Sequence, residues 1–513
     1  AVYLKDKLGS SFSVQHPEAF LSEKAIARRT RQQIPITETD LPVSIAYQNA
    51  LKQFAVQLNY SSKWLNCLVL EASPTTIQAI KLLPFVIEVR EIDNGQKSAA
   101  KTDAKFETLN ANTFSDFDVD TYYGASTVQN QMIHVDFLHK RGYKGDGVIV
   151  GHFDNGCFNA ANIQGFDSLL QTSRFVGARD IVDGNDNVFN DGTHGTSTLS
   201  CLAANAPGKM VGTSPNASFY LLRTENNSSE TIQEEYNWAY GAEVADSIGA
   251  EVFTTSLGYT TFDNNVSNHT YVDLNGNKTP ITIAANIAAR KGIIVLNSAG
   301  NEGAKSWFYI SAPADADSIL AIGAVDGNGE IAKFSSYGPN AAGRIKPDVV
   351  AAGVDVFTPI RHPSYPSNPY YYITTSGTSF SAPSVAGAVG LLVDLRTRLA
   401  PQHPYLASTL KGLLIHTADE AETIGPDYKT GWGLVNAYTA ANLVQSDSDD
   451  GGKQYIKEVT LLDGDYIEFA VTATGGTPLK TTICWTDPAG AAQPLQLNPT
   501  NLVLVNDLDL RII

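Results

Sequence analysis

The chain has 513 residues, 43% of them hydrophobic, and a formal net charge of −17. This length predicts about three domains. No apolar run reaches the roughly 18 residues that a membrane-spanning helix needs, and the negative charge argues against nucleic acid as a partner. Residues 1–100 differ, with 11 Lys and Arg against 9 Asp and Glu. They indicate either compositional drift or a basic module that docks on an acidic domain of the same chain.

Residues 1–93 have the pattern of a small α+β domain. We expect strands at 1–7, 64–72 and 85–92 and helices at 21–34, 46–57 and 73–84, the last of them capped by Ser73. This order is typical of the split βαβ, ferredoxin-like arrangement. Residues 94–118 are polar and lack periodicity, which predicts an exposed linker that is prone to cleavage.

Strands and helices alternate between residues 119 and 447, which predicts a doubly wound α/β domain with a mostly parallel sheet. Nearly continuous apolar runs predict strands buried on both faces, at 148–153, 218–223, 251–256, 292–298 and 319–325. Helices are expected at 233–248 and 281–292. A second linker is predicted at 446–452. Residues 453–513 alternate apolar and polar positions, which predicts an antiparallel β-sandwich that four strands would leave incomplete.

The four cysteines form no CxxC pair, which excludes a zinc ribbon. We expect Cys67 and Cys484 to be buried free thiols because they lie in strand-like apolar runs. A disulfide between Cys157 and Cys201 requires that the loops after two of the motifs below converge.

Four short blocks carry side chains suited to nucleophilic catalysis. They are VIVGHFDNG with Asp154, DGTHGTSTLS with His194, NSAGNEG with Asn301, and SGTSFSAPSVAGAVGLL with Ser379. Taken singly, each is more often a turn or structural residue. A serine hydroxyl, however, needs a base within hydrogen-bond reach and a third group to orient that base. Asp154 and Asn301 also follow predicted parallel strands, at the edge where such sheets bind ligands.

Ser379 is predicted to lie at the start of a helix, where the helix dipole and its own N–H favour a developing negative charge. Asn301 is a candidate second donor to that charge. Ser381 occupies the place of the last glycine of a G-x-S-x-G elbow, which disfavours an α/β-hydrolase such as an esterase or lipase.

With these blocks, residues 122–442 resemble the catalytic domain of a subtilisin-like serine protease (a subtilase). The resemblance implies a catalytic triad of Asp154, His194 and Ser379, and an oxyanion hole formed by Asn301 and the Ser379 N–H. It also implies that the substrate backbone pairs with the segment 256–258 and that Gly300 lines the pocket for the residue before the scissile bond. The residues of that segment are Ser256, Leu257 and Gly258.

Three positions depart from the family pattern. Asn155 follows the aspartate, Phe380 replaces a methionine after the serine, and His152 precedes Asp154 by two residues. None of them removes a catalytic atom.

The flanking regions also resemble parts of this family. Residues 50–93 resemble a subtilase propeptide of ferredoxin-like form, which implies an intramolecular inhibitor that is cut within 94–118. The tail resembles the C-terminal β-sandwich of some large secreted bacterial subtilases. We therefore expect a bacterial enzyme that is secreted, periplasmic or on the cell surface.

The sequence leaves the metal ligands unknown. The acidic loops 180–191 and 271–278 do not match an EF-hand, and no HExxH motif is present. The resemblance implies that no cofactor is needed for the chemistry, and it leaves a structural calcium site open, since calcium is common in the family.

The leading hypothesis is a serine endopeptidase that is made as a zymogen and hydrolyses proteins or peptides. The alternative of a different class is a catalytically silent binding or adhesion module on the same scaffold. A reaction with a serine-directed fluorophosphonate separates the two, because a silent scaffold should not be labelled.

Overall fold

The computed structural model describes residues 1–93, 121–359, 371–401 and 403–449, and beyond them 455–472, 475–476, 478–488, 490, 497 and 504–512. The predicted linker 94–118 lies outside the described residues. The predicted linker 446–452 is partly wrong, because a helix extends through Asp449. Asp447 is buried in the last turn of this helix, where it accepts a hydrogen bond from the N–H of Ile456 at 2.9 Å.

Residues 1–93 form a four-stranded antiparallel sheet in the order β2-β3-β1-β4. One face packs on two helices through a core that includes Val2, Leu51, Leu68 and Ile80. The other face carries Cys67 and Val69 toward the rest of the protein. The elements are β1 (Val2–Leu4), α1 (Glu23–Arg31), α2 (Ile45–Leu51), β2 (Val56–Ser62), β3 (Cys67–Ala72), α3 (Pro74–Ile80) and β4 (Val86–Val89).

The helix predicted over 46–57 is too long, since α2 ends at Leu51 and β2 starts at Val56. Val56, Leu58 and Tyr60 are half-buried, whereas the two residues that alternate with them are exposed. This two-residue period is that of a strand with one face packed on the protein. Ser73 caps α3 as predicted, by accepting a hydrogen bond from the N–H of Thr76 at 3.2 Å.

A seven-stranded parallel sheet forms the centre of the remaining structure, in the order β13-β12-β11-β10-β5-β9-β6. The doubly wound α/β class is thereby confirmed. The order reverses beside β5, whose neighbours β9 and β10 lie on its two sides. The elements are α4 (Thr127–Gln131), α5 (Val135–Lys140), β5 (Ile149–Asp154), α6 (Asp167–Leu170), β6 (Phe175–Asp180), α7 (Thr193–Ala203), β7 (Asn205–Ala206), β8 (Met210–Val211), β9 (Ser218–Arg223), α8 (Gln233–Ile248), β10 (Val252–Thr255), α9 (Pro280–Arg290), β11 (Ile294–Ser298), β12 (Leu320–Val325), β13 (Val349–Ala352), β14 (Val356–Pro359), β15 (Tyr372–Thr375), α10 (Thr378–Leu399), α11 (Ala407–Thr417) and α12 (Ala437–Asp449).

Helices cover both faces of this sheet. Apolar side chains of α7, α10, α11 and α12 pack on one face, and those of α8 and α9 pack on the other. Among the described residues, α10 is the one helix long and apolar enough to cross a membrane, but 94% of its most apolar stretch is buried inside the protein. It is therefore a core helix by its burial, and its first turn carries Ser379.

All four cysteines are free thiols, so the Cys157–Cys201 disulfide is not formed. The two side chains belong to different clusters, with Cys157 in the large core on the α7 and α10 face and Cys201 packed on Val356 and Phe380.

The described residues of 455–512 contain no helix or strand. Large apolar side chains among them, such as Tyr466 and Val471, are exposed. A β-sandwich buries alternate side chains between two sheets, whereas the described residues of 455–512 form no sheet. The β-sandwich therefore stays a prediction.

Candidate active site

The predicted site residues gather at the carboxyl ends of adjacent parallel strands. Asp154 is the last residue of β5, Ser256 follows β10, and Asn301 lies three residues beyond β11. Strands β5, β10 and β11 are neighbours in the sheet. The side chains therefore meet where the strand order reverses, which is the binding position expected of an open α/β sheet.

Asp154 and His194 form a buried pair. The Nδ1–H of His194 donates to Oδ1 of Asp154 at 2.7 Å, and the N–H of Asn155 donates to the same oxygen at 2.8 Å. Burial opposes the ionisation of Asp154, but the neighbouring His194 and its hydrogen bond outweigh this and hold the pKa of the carboxyl below its ordinary value. The pair is thus a fixed carboxylate that orients an imidazole.

The approach of α7 to β5 depends on Gly195 and Asn155. A Cβ on Gly195 would lie 1.9 Å from the carbonyl oxygen of Gly156 and 2.9 Å from Cβ of Asp154. The side-chain oxygen of Asn155 accepts the N–H of Gly195 at 3.0 Å. The sequence departure at Asn155 therefore ties the aspartate loop to the first turn of the histidine helix.

His152 and Thr198 extend the pair on the side away from His194. The hydroxyl of Thr198 donates to Oδ2 of Asp154 at 2.8 Å, and Nε2 of His152 lies 2.9 Å from the same hydroxyl oxygen. Because the Thr198 proton goes to the carboxylate, Nε2 of His152 must be the donor. Burial lowers the pKa of His152 to about 4, so the ring is neutral near pH 7. Its Nδ1 has no hydrogen-bond partner among the described residues.

Ser379 is the second residue of α10, so its N–H is among those with no acceptor inside the helix. Its hydroxyl donates to the carbonyl oxygen of Ser256 at 3.3 Å, and the Ser256 hydroxyl donates to the carbonyl oxygen of Ser379 at 2.8 Å. The ring of the next residue, Phe380, lies 6.1 Å from the His194 ring, centroid to centroid. The residue that follows the serine therefore packs against the imidazole, which brings the first turn of α10 next to His194.

Asn301 is held against the start of the same helix. Its Oδ1 accepts hydrogen bonds from both the N–H and the hydroxyl of Thr378, each at 3.0 Å. The oxygen is thereby engaged, and the Nδ2 donor lies 3.5 Å from the point that a Cβ on Gly377 would occupy. The Nδ2 donor of Asn301 therefore lies beside Gly377, two residues before Ser379.

The segment Ser256–Leu257–Gly258 continues from β10 past the serine. The Leu257 carbonyl accepts the side-chain N–H of Asn297 at 3.0 Å, and Gly258 is exposed. The exposed backbone suits pairing with an extended peptide.

Ser311 is a site residue that the motifs did not indicate. A Cβ on Gly258 would lie 2.0 Å from Ser311 Oγ, and one on Gly300 would lie 3.1 Å from it. Among the described residues, the buried Ser311 hydroxyl has no hydrogen-bond partner. It therefore faces the space beside the two glycines that were predicted to bind substrate.

The acidic loops 180–191 and 271–278 do not fit a calcium ion. Arg223 enters loop 180–191 and pairs with Asp180, Asp183 and Asp191 at 2.7–2.9 Å, while Asp186 pairs with Arg179. A guanidinium thus takes the place that a cation would need.

The loop 271–278 is satisfied internally. Asp273 Oδ2 accepts hydrogen bonds from the N–H and hydroxyl of Thr270, and Asn275 Oδ1 accepts one from the N–H of Asn277.

The structure also shows a cluster of three carboxylates that the sequence did not suggest. Its oxygens lie within 4.8 Å of one another and belong to Glu225, Glu230 and Glu234.

The sequence matches two family profiles. The profile of the subtilase family, Peptidase S8, matches residues 145–433. A profile described as the Peptidase S8 propeptide domain of Bacteroidota matches residues 1–107. The second match begins at residue 1 and so extends the propeptide resemblance beyond residues 50–93.

Individual relatives agree with the profiles. Subtilisin DY of Bacillus licheniformis is 32% identical over 311 residues, covering 60% of this chain and 96% of that protein. An alkaline protease of Alkalihalobacillus alcalophilus is 27% identical over 398 residues, covering 77% and 84%. Subtilisin E of Bacillus subtilis is 29% identical over 310 residues, covering 59% and 68%.

Proposed function

The chain belongs to the subtilase family of serine endopeptidases and carries a propeptide domain, and we propose that Asp154, His194 and Ser379 are its catalytic triad. The single observation that carries this proposal is the buried 2.7 Å hydrogen bond from His194 Nδ1 to Asp154 Oδ1 beside the first turn of α10. It fixes the tautomer in which Nε2 is the basic nitrogen.

In the proposed mechanism, His194 Nε2 takes the proton of the Ser379 hydroxyl while Oγ forms a bond to the peptide carbonyl carbon. Asp154 stabilises the imidazolium that results. The oxyanion accepts hydrogen bonds from Asn301 Nδ2 and the Ser379 N–H. The imidazolium then protonates the leaving amine, and water hydrolyses the acyl-enzyme by the reverse proton transfers.

We propose that substrate lies extended along Ser256–Leu257–Gly258, with the side chain before the scissile bond in the space lined by Gly300. The exposed backbone of Gly258 supports strand pairing there. The Ser311 hydroxyl lies against both Gly258 and Gly300 and has no hydrogen-bond partner among the described residues, so it is available to that side chain as a partner.

The decisive experiment compares Ser379→Ala with Ser384→Ala. Both serines are buried on α10, but the Ser384 hydroxyl donates to the Phe380 carbonyl at 2.8 Å. We expect Ser379→Ala to lose casein hydrolysis and fluorophosphonate labelling while it keeps its melting temperature, and Ser384→Ala to keep both activities. Turnover by Ser379→Ala would refute the triad. An unlabelled wild-type protein without peptidase activity would favour the silent binding module instead.

We also propose that the N-terminal domain inhibits the enzyme until the chain is cut within 94–118, and that the enzyme acts outside the cytoplasm. The propeptide match supports the first statement, and the kinship with bacterial subtilisins supports the second only coarsely. N-terminal sequencing after incubation is expected to find a new terminus within 94–118 in the wild type and none in Ser379→Ala. Detection of the protein only inside cells would contradict secretion.

A further inference from the structure

The carboxylate of Asp154 is held at both of its oxygens. Oδ1 accepts the Nδ1–H of His194 at 2.7 Å and the N–H of Asn155 at 2.8 Å. Oδ2 accepts the hydroxyl of Thr198 at 2.8 Å, and among the described residues this hydroxyl is its hydrogen-bond donor. Three donors therefore fix the plane of the carboxylate, and of these His194 alone takes part in the proposed proton transfers.

His152 contacts Thr198 from the same strand as Asp154. The two strand residues lie two positions apart on β5, so both side chains are on the face that α7 covers. Phe153, between them, stacks on Trp238 of α8 on the opposite face. Nε2 of His152 lies 2.9 Å from Oγ1 of Thr198. Because all three polar side chains are at most 2% exposed, water does not compete for these contacts.

The hydroxyl of Thr198 has one proton and more than one acceptor within reach. The carbonyl oxygen of Gly195, one turn earlier in α7, lies 3.2 Å from Oγ1, and threonines in helices commonly donate to such a carbonyl. An Nε2 of His152 without a hydrogen would also accept this proton. When Nε2 carries a hydrogen, it donates to Oγ1 instead, and the Thr198 proton goes to the carboxylate, which is both the nearer and the charged acceptor. The tautomer of His152 therefore decides whether Thr198 serves Asp154.

The surroundings of His152 keep its ring neutral. Its neighbours in register are Leu221 on β9 and Thr254 on β10, and neither carries a charge. The titratable side chains of α7, which covers this face, are His194 and Cys201. Burial lowers the pKa of His152 to about 4. At neutral pH the ring therefore has a single proton, which one of its two nitrogens must carry.

The other ionisable neighbours of Asp154 do not take up its charge. Arg223 lies opposite Asp154 on β9, but its guanidinium pairs with three aspartates of the loop 180–191 at 2.7–2.9 Å. Burial raises the pKa of the Cys157 thiol well above its ordinary value, so the thiol is neutral. The charge of Asp154 is therefore distributed over its three hydrogen-bond donors.

We propose that His152 and Thr198 are positioning residues for the catalytic aspartate. The Nε2–H of His152 directs the Thr198 proton to Oδ2 of Asp154, and this hydrogen bond orients the carboxylate and moderates its attraction for the proton on His194. With one donor fewer, more of the negative charge would act on His194, and the imidazolium would become more stable. The inference rests on the proposed triad, and neither residue needs to touch the substrate.

The tautomer of His152 is the first test. It is measured on the full chain with Ser379→Ala by nitrogen-15 NMR of the imidazole rings at pH 6, 7 and 8, with the ring assigned through its neighbours on β5. We expect a neutral ring with its proton on Nε2 throughout. A proton on Nδ1, or a ring that titrates within this range, would overturn the proposal. This measurement needs neither turnover nor a substitution at Thr198, so it is independent of the triad assignment and of the folding of any Thr198 variant.

The second test is the pH dependence of kcat/KM on a peptide substrate, whose acid limb reports the general base of the free enzyme. Thr198→Val should move this limb upward by about half a pH unit or more and lower the plateau by about tenfold. Thr198→Ser keeps the hydroxyl and should restore the wild-type limb. Thr196→Val is the matched control on the same helix, because the Thr196 hydroxyl binds main-chain carbonyls, and it should leave the limb unchanged.

His152→Leu separates an effect through Thr198 from a direct one. Alone it should move the acid limb upward by less than Thr198→Val does, because the remaining hydrogen bond loses its cooperative support. Combined with Thr198→Val it should cause no further shift. Equal acid limbs in the wild type and Thr198→Val would overturn the proposal, and so would the same shift by His152→Leu with and without the Thr198 hydroxyl. Activity that survives Ser379→Ala would refute the triad, and this outcome is distinct from an unshifted limb in an enzyme that depends on Ser379.

Discussion

Acidification should destabilise this protein through a histidine that is buried in its neutral form. Nε2 of His139 donates to the carbonyl of Thr213 at 3.1 Å, so Nδ1 must accept the hydroxyl proton of Tyr123 at 2.7 Å. A second proton on this ring would break the hydrogen bond from Tyr123 inside a buried site. Burial accordingly lowers the pKa of His139 to about 4.

The sign of the effect follows from this depressed pKa. Above about pH 6.5, the ring is neutral in both the folded and unfolded states, and the full stability is present. Between about pH 6.5 and 4 the unfolded chain binds a proton that the folded chain does not bind. The free energy of unfolding therefore decreases as the pH is lowered through this range. The difference between the two pKa values corresponds to about 3 kcal/mol at 1.36 kcal/mol per pH unit.

Urea unfolding of the Ser379→Ala protein at pH 7, 6, 5 and 4.5 would measure this dependence. We expect His139→Gln to reduce the slope of the unfolding free energy by up to about 1.4 kcal/mol per pH unit in this window. His16→Gln is the control variant, because this histidine lies exposed at the surface. Equal slopes in the parent and His139→Gln would refute the argument that His139 is held neutral.

Three further predictions concern the site and its surroundings. Asn301→Ala should lower kcat by about 10²- to 10³-fold with little change in KM, because the lost donor acts mainly on the transition state; steady-state kinetics on a peptide substrate would measure this. Thr198→Val should lower the free energy of unfolding by about 1.5–3 kcal/mol, because a buried carboxylate loses a donor. Thr196→Val, whose hydroxyl binds only main-chain carbonyls, should cost less in the same denaturation assay. Arg223→Met should cost about 3 kcal/mol at low calcium, and millimolar calcium should raise the melting temperature of this variant more than that of the parent.

The sequence predicts the central strands best because burial on both faces leaves a continuous apolar run. β9 occupies residues 218–223 as predicted. β6 was missed because it is an edge strand, in which half-buried Arg179 lies between buried Ala178 and Asp180 and no continuous apolar run results. β13, Val349–Ala352, was missed because four small or medium apolar residues give too short a run. Edge position and short length are properties of the assembled sheet, which local patterns do not record.

The site shows the same division between local and long-range information. The motifs identified Asp154, His194, Asn301 and Ser379 because each lies in a distinctive short block. Thr198 could have been found, since it lies one helical turn beyond His194 and so shares a face of α7 with it. Ser311 gave no such signal, because its place follows only from contacts with glycines 53 and 11 residues earlier in the chain.

The charge difference between the N-terminal domain and the rest suggested docking, but net charge does not determine how the two parts fit. Arg29 of the domain pairs with Asp246 of the peptidase, and Lys291 of the peptidase pairs with Asp40 of the domain. Each part therefore supplies both a positive and a negative charge to the same contact. A displacement by one helical turn would bury at least one of these charges without its partner, which costs more than a lost surface pair. Long-range attraction between a basic module and an acidic one can speed their encounter. These buried pairs therefore help to fix the position of residues 17–40 on α8 and α9, because a shifted position would leave them unpaired.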